Sequence, residues 1–179
     1  STQHPSEIQH KVAGMLGLTY GDIQVDVRRM GGGFGGKESQ SNLTACIAAL
    51  AAHNTKRPAR LIYDRDDDMR VTGKRHDIKL VYKVGFDKDG RMTALIIDQY
   101  LRCGMSYDLS KAIAIRSMTH AENAYAIPNT RITAHLCQTH TPSNTAFRGF
   151  GGPQGMIGIE QIIDKIAAHL NIDPINVGN

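Results

Sequence analysis

The tetrapeptide Gly-Phe-Gly-Gly occurs twice, at residues 33–36 and 149–152, and each copy stands ahead of a run with helical character. A glycine run before a helix lets consecutive backbone N–H groups converge, and the helix dipole adds partial positive charge at the same place. An anion cradle is one reading of such a loop. A tight turn or a close backbone approach, which needs the missing Cβ, is the other. Phe34 and Phe150 are the only side chains inside these loops. Each could form an aromatic shelf beside a flat ligand or anchor its loop to the core.

Gly31 to Lys37 also satisfies the phosphate-loop pattern GxxxxGK. That pattern needs a Ser or Thr next, whose hydroxyl holds magnesium, and this chain has Glu38 there, with Ser39 one place too late. A carboxylate at that position would oppose nucleotide phosphates. The second loop, Arg148 to Gln154, leads into a helical run with Pro153 suited to a first helical position, where no N–H is needed.

Around the loops the pattern is mixed. Pro5 to Leu16 predicts a helix with Ile8, Val12 and Leu16 on one face, ended by Gly17. Ile23 to Val27 alternates apolar and polar residues and reads as a half-buried strand, and Ser39 to His53 as a largely buried helix. Arg60 to Tyr63 reads as a short strand. His76 to Phe86 and Met92 to Leu101 flank Asp89-Gly90, a hairpin signal. Ser110 to His120 predicts a helix and Arg131 to Cys137 a strand. Pro153 to Leu170 predicts a closing helix with Met156, Ile159, Ile163 and Ile166 inward. Strands and helices do not alternate regularly, so the expectation is an α+β fold with a mixed sheet, a β-hairpin and packed helices.

Composition excludes several classes. With 179 residues, 41% hydrophobic and 21% charged, the chain can bury a real core as one domain or two small ones. No apolar run approaches the roughly 20 residues needed to cross a bilayer, and no signal-like stretch opens the chain, so a cytoplasmic protein without a membrane partner is expected. The net charge of +4 is scattered among acids, as in Asp64 to Asp68, which gives nucleic-acid binding little support. Cys46, Cys103 and Cys137 lack any CxxC spacing, and the eight histidines form no HxxxH pair, so no protein-ligated metal is expected. Cys46 is expected in the core.

Arg29 to Glu38, RMGGGFGGKE, and Ser143 to Met156, SNTAFRGFGGPQGM, resemble the molybdenum-binding region of the xanthine dehydrogenase and xanthine oxidase family. Ser1-Thr2-Gln3, Asp64-Arg65 and Gly73-Lys74-Arg75-His76 fit the same pattern, so the resemblance covers nearly the whole chain. It implies that residues 1–179 are part of a molybdenum-cofactor and substrate-binding domain, a fragment of a longer chain. The implied cofactor is molybdopterin carrying molybdenum, held through the pterin rather than by protein ligands. By position in the motifs, Gln3, Gly33, Phe34, Gly35 and Arg148 correspond to cofactor contacts.

The same resemblance makes Glu38 a substrate-binding and catalytic carboxylate, where aldehyde-oxidising relatives usually carry an apolar residue. Arg116 matches the arginine that pairs with a purine oxygen and with charge developing on the ring, and Phe150 the aromatic that lies against the substrate. Glu38 alone would read as an acid near a helix N-terminus, and Arg116 as a solvated helix face. The implied activity is oxidation of hypoxanthine and xanthine to urate. The general-base glutamate of the family has no counterpart in these residues, so this segment alone is expected to be inactive. FAD and [2Fe-2S] clusters are expected on other domains or subunits. A non-catalytic cofactor-binding module and a related aldehyde or N-heterocycle hydroxylase are the alternatives.

Overall fold

A computed structural model describes residues 1–177. The chain divides into two compact units: Ser1–Arg75 with Thr145–Arg148, and His76–Asn144 with Gly149–Asn179. A short segment from far along the sequence therefore completes the first unit.

In unit 1, helix α1 spans Pro5–Leu16 and buries Ile8, Val12 and Ala13. Gly17 ends it in the left-handed conformation, φ 68°, where its N–H donates to the Ala13 carbonyl. Helix α2, Ser41–Thr55, packs along α1. The short helix α3, Arg65–Val71, was not expected. Asp64 caps it by accepting the Asp67 N–H at 2.8 Å, and Asp66, Asp67 and Asp68 stand in its first turn against the positive end of the dipole.

Four expectations for this unit are corrected. Ile23 to Val27 and Arg60 to Tyr63 are extended but join no sheet among the described residues. Helix α2 forms, but none of its residues is buried, and Leu43, Ile47 and Leu50 stand 54%, 44% and 43% exposed. Cys46, on this helix, is accordingly only half-buried, and Cys103 is the buried thiol. Burial still pushes the Cys46 thiol above its ordinary range, with Lys11 pulling weakly the other way.

Unit 2 is a three-stranded sheet, β1 Ile78–Phe86, β2 Met92–Gly104 and β3 Thr130–Gln138. Strands β1 and β2 form the expected hairpin, antiparallel with Val84 opposite Leu95. Its turn is built by Asp87, whose carboxylate accepts the N–H groups of Asp89 and Arg91 at 3.0 and 2.9 Å, while Gly90 takes φ 84°. Strand β3 runs parallel to β2, so the connection between them has to return along the sheet, and helix α4, Ser110–Thr119, lies in it. The fold is α+β with a mixed sheet, as expected.

Helix α5, Gly152–Leu170, supplies half of the buried core of this unit. Ile159, Ile162, Ile163 and Ile166 pack on Leu95 and Ile97 of β2. Truncating one such isoleucine to Ala costs about 2–5 kcal/mol. Met156 is only half-buried, against expectation, because the inward face of the first turns is given to Gly155 and Gly158. A Cβ on Gly158 would stand 2.5 Å from Leu80 Cδ1.

Candidate functional site

The first glycine loop is stitched to the residues before α1. The Gln3 side-chain oxygen accepts N–H groups from Gly35 at 2.9 Å and Lys37 at 3.2 Å, and its backbone N–H donates to the Lys37 carbonyl at 2.8 Å. A Cβ on Gly33 would fall onto the Gln3 carboxamide, so the approach requires glycine there. The Gln3 amide nitrogen has no acceptor among the described residues and is left as an outward donor. Lys37 does not reach outward as a phosphate-loop lysine would. Its ammonium donates to the Met30 carbonyl at 2.7 Å and so closes its own loop.

Thr145 to Arg148 forms the other wall of this cluster. The Thr145 N–H donates to the Lys74 carbonyl at 3.0 Å, and the hydroxyls of Thr145 and Ser39 lie 3.2 Å apart. Ala146 is buried, and a Cβ on Gly35 would sit 2.9 Å from its methyl group. The Arg75 guanidinium donates to the Arg148 carbonyl at 2.7 Å and lies 5.2 Å from the Phe147 ring centroid. That of Arg148 lies 5.8 Å from the centroid of Phe34.

The N–H groups of Gly32, Gly33 and Phe34, and those of Phe147 and Arg148, find no acceptor among the described residues. Both lie in short glycine-rich turns edged by the guanidinium groups of Arg75 and Arg148. Unspent donors and fixed positive charge suit an oxygen-rich anionic group. The Glu38 carboxylate, at the end of the same loop, is half-buried and makes no hydrogen bond or ion pair among the described residues.

Phe34 and Phe150 share an unusual backbone. Both have φ 51°, the left-handed region that bulky residues avoid, and each is followed by a glycine at φ 88° or 95°. The repeat in sequence is therefore a repeat in conformation. Phe34 is 65% exposed, so burial does not offset its strain, whereas Phe150 is half-buried.

In unit 2 the second loop serves close helix packing. A Cβ on Gly151 would meet the Ile113 carbonyl of α4, and one on Gly155 the Ser117 carbonyl. For these two glycines, backbone approach is the physical requirement, not anion binding. Arg116 lies on the exposed side of α4, and its guanidinium has no carboxylate partner among the described residues. Its Nε lies 3.8 Å from where a Cβ of Gly152 would stand, so the arginine runs beside the start of α5.

The family model described as the molybdopterin cofactor-binding domain matches residues 1–178. The chain belongs to that family. A xanthine dehydrogenase from Dictyostelium discoideum is 46% identical over 177 residues, 99% of this chain and 13% of the relative. A xanthine dehydrogenase/oxidase from Felis catus is 50% identical over 167 residues, 93% of this chain and 12% of the relative. Among solved structures, quinoline 2-oxidoreductase from Pseudomonas putida 86 superposes with a TM-score of 0.83 at 26% identity, over 97% of this chain and 22% of that one. The aldehyde oxidoreductase from Desulfovibrio gigas gives 0.82 at 30% identity, over 93% and 18%. This molybdopterin cofactor-binding domain thus spans about an eighth of the length of the curated relatives it matches.

Unit 1 brings together Gln3, Gly33, Phe34, Gly35 and Arg148, with Glu38 on the same loop, while Arg116 and Phe150 belong to unit 2. The Gly35 N–H is spent on Gln3, so what Gly35 supplies is the close approach to Ala146. Sequence reasoning did not single out Arg75 or Ala146 as site residues. Arg75 stands in the Gly-Lys-Arg-His pattern, but its partner is 73 positions away and no local period marks it.

Proposed function

We propose that this domain is the portion of a xanthine dehydrogenase-type hydroxylase that holds molybdopterin and contributes contacts to a purine. The observation that carries the proposal is the set of unspent N–H groups at Gly32 to Phe34, beside the outward amide of Gln3 and under Arg148. Those donors suit the phosphate and ring oxygens of a pterin, and the Phe34 ring offers a flat face. When bound, the molybdenum centre supplies the oxygen transfer and takes up the substrate's electrons.

This chain's own residues would bind and orient. Gln3 donates through its amide nitrogen, Gly33 and Phe34 through their backbone, and Arg148 adds positive charge. Gly35 lets the backbone close around the loop. Glu38, whose carboxylate has no partner among the described residues, can read purine ring nitrogens, and the Arg116 guanidinium, without a carboxylate partner among the same residues, can hold a purine oxygen and stabilise negative charge there. Phe150 would lie against the ring. The names of the relatives support a xanthine substrate. The general base, FAD and [2Fe-2S] centres would lie in other parts of the full polypeptide or in partner subunits of a cytoplasmic enzyme.

The test is metal and pterin analysis of the full-length protein, followed by turnover of xanthine and of an aldehyde. Bound molybdopterin with xanthine turnover is expected. Glu38→Val should raise aldehyde turnover relative to xanthine by about 10-fold or more, and unchanged selectivity would remove Glu38 from purine recognition. Bound cofactor without turnover of either substrate would leave a binding module instead.

A further inference from the structure

Of the segment Gly73-Lys74-Arg75-His76, the candidate site uses Arg75 and leaves His76 without a role. His76 stands just ahead of β1 and is 2% exposed, and Ser110, the first residue of α4, is fully buried. The His76 Nε2 and the Ser110 Oγ lie 2.6 Å apart, a hydrogen bond between two side chains shut off from water. The backbone around the histidine is itself held on two sides. The His76 carbonyl accepts from the Gln154 side-chain amide at 3.3 Å, in the opening turn of α5, and the Asp77 carbonyl accepts the Arg102 N–H of β2 at 3.2 Å. His76 thus joins the sheet, α4 and the start of α5, all within unit 2.

Helix α4 needs such a tie. It has ten residues and no side-chain cap at its N-terminus, and a helix this short is marginal without tertiary support. Its buried face is Ser110, Ile113, Ala114 and Ser117. At Ile113 and Ser117 the contact with α5 is backbone against glycine, which sets a distance but little direction, and the Ser117 hydroxyl has no partner among the described residues. The bond from Ser110 to His76 is directional, so it fixes the rotation of α4 about its axis. Arg116, exposed on the same helix, turns with it. We propose that His76 and Ser110 are positioning residues that aim the Arg116 guanidinium, an inference that rests on the reading of Arg116 as the group that holds a purine oxygen. A long side chain amplifies a small rotation of the helix that carries it, and a misplacement of about 1 Å can cost about 100-fold in rate.

Steady-state kinetics of the full-length protein, with pterin per polypeptide measured for each variant, test this on xanthine and on unsubstituted purine, which has no ring oxygen. Ser110→Ala and His76→Leu should each lower kcat/KM on xanthine by about 10-fold or more at unchanged pterin content, and on purine by less than about 3-fold. His76→Gln, whose side-chain amide can keep a hydrogen bond to the hydroxyl, should recover most of the loss. Ser110→Ala added to Arg116→Met should cost nothing further, because a residue acting through Arg116 has no effect once the guanidinium is gone. An additive loss in the double variant, or equal losses on both substrates, would overturn the positioning role. So would full xanthine activity in Ser110→Ala and His76→Leu beside a defective Arg116→Met. A normal Arg116→Met would instead remove Arg116 from purine recognition, and this inference with it.

Discussion

At the scale of single residues, the informative fact is that Phe34 is an exposed aromatic with a left-handed backbone. That conformation costs an L-residue about 1–2 kcal/mol and costs glycine nothing. Phe34→Gly should therefore match or exceed the native thermal stability, while Phe34→Ala, which keeps a Cβ and loses the ring, should fall below the Gly variant by about 1 kcal/mol. Thermal unfolding of the two variants decides it, and Ala above Gly would contradict the strain. Strain kept where burial does not require it is a mark of a functional position. In the full-length protein, Phe34→Gly should accordingly lose bound pterin although the fold is intact, measured as pterin per polypeptide.

A second residue-scale effect is acidic. The Asp22 carboxylate accepts from the Thr19 hydroxyl and N–H at 2.8 and 2.9 Å, and these bonds hold it below the ordinary carboxylate range. A depressed folded value means stability that is present above the unfolded value and lost as pH falls through the folded one. Asp22→Asn should lower stability at neutral pH and flatten its decline under acid. Parallel acid profiles for the two proteins would show that the bonds do not contribute.

At the scale of elements, glycine inside a helix divides into two physical cases. Gly14 of α1 has nothing within 4 Å of where a Cβ would stand, so Gly14→Ala should gain about 0.5–1 kcal/mol from helix propensity. Gly155 of α5 faces the Ser117 carbonyl, so Gly155→Ala should lose about 1–3 kcal/mol despite the same propensity gain. Urea unfolding of both variants tests the contrast, and a stabilised Gly155→Ala would mean that α4 and α5 can move apart. The same distinction marks what the sequence could reveal. The hairpin was legible because Asp87 to Arg91 builds its turn from its own carboxylate and one glycine. The inward role of Gly155 was not, because apolar periodicity counts methionines and isoleucines and is blind to a missing side chain. Asp64 and the acids after it carried a readable cap for α3, which a reading of them as scattered charge passed over.

At the scale of the whole molecule, α2 shows why part of the fold could not be read correctly from these residues. Its composition predicts burial, and Leu43, Ile47 and Leu50 are exposed, because burial is a property of what a helix lies against and not of the helix alone. The 179-residue chain should therefore bind a hydrophobic dye, and Ile47→Glu should reduce that binding with little loss of stability. In the full-length protein the same change should cost about 2 kcal/mol or more if polypeptide outside these residues covers the helix. Equal, small costs in both would leave that face open to solvent. Of the candidate site, Phe34 and Arg148 stand in long motifs and Gln3 in a short one, and unit 1 holds all three. Arg75 was missed because its bond to Arg148 spans the sequence.

The donation of Thr145–Arg148 to unit 1 also sets a schedule. Thr145 follows Arg75 by 70 positions, which a ribosome adding about 5–20 residues per second takes roughly 4–14 s to translate. Through that interval the first glycine loop lacks the wall that Ala146 and Arg148 provide. A nascent chain thus completes its candidate cofactor site late, only after the hairpin and α4 have been made.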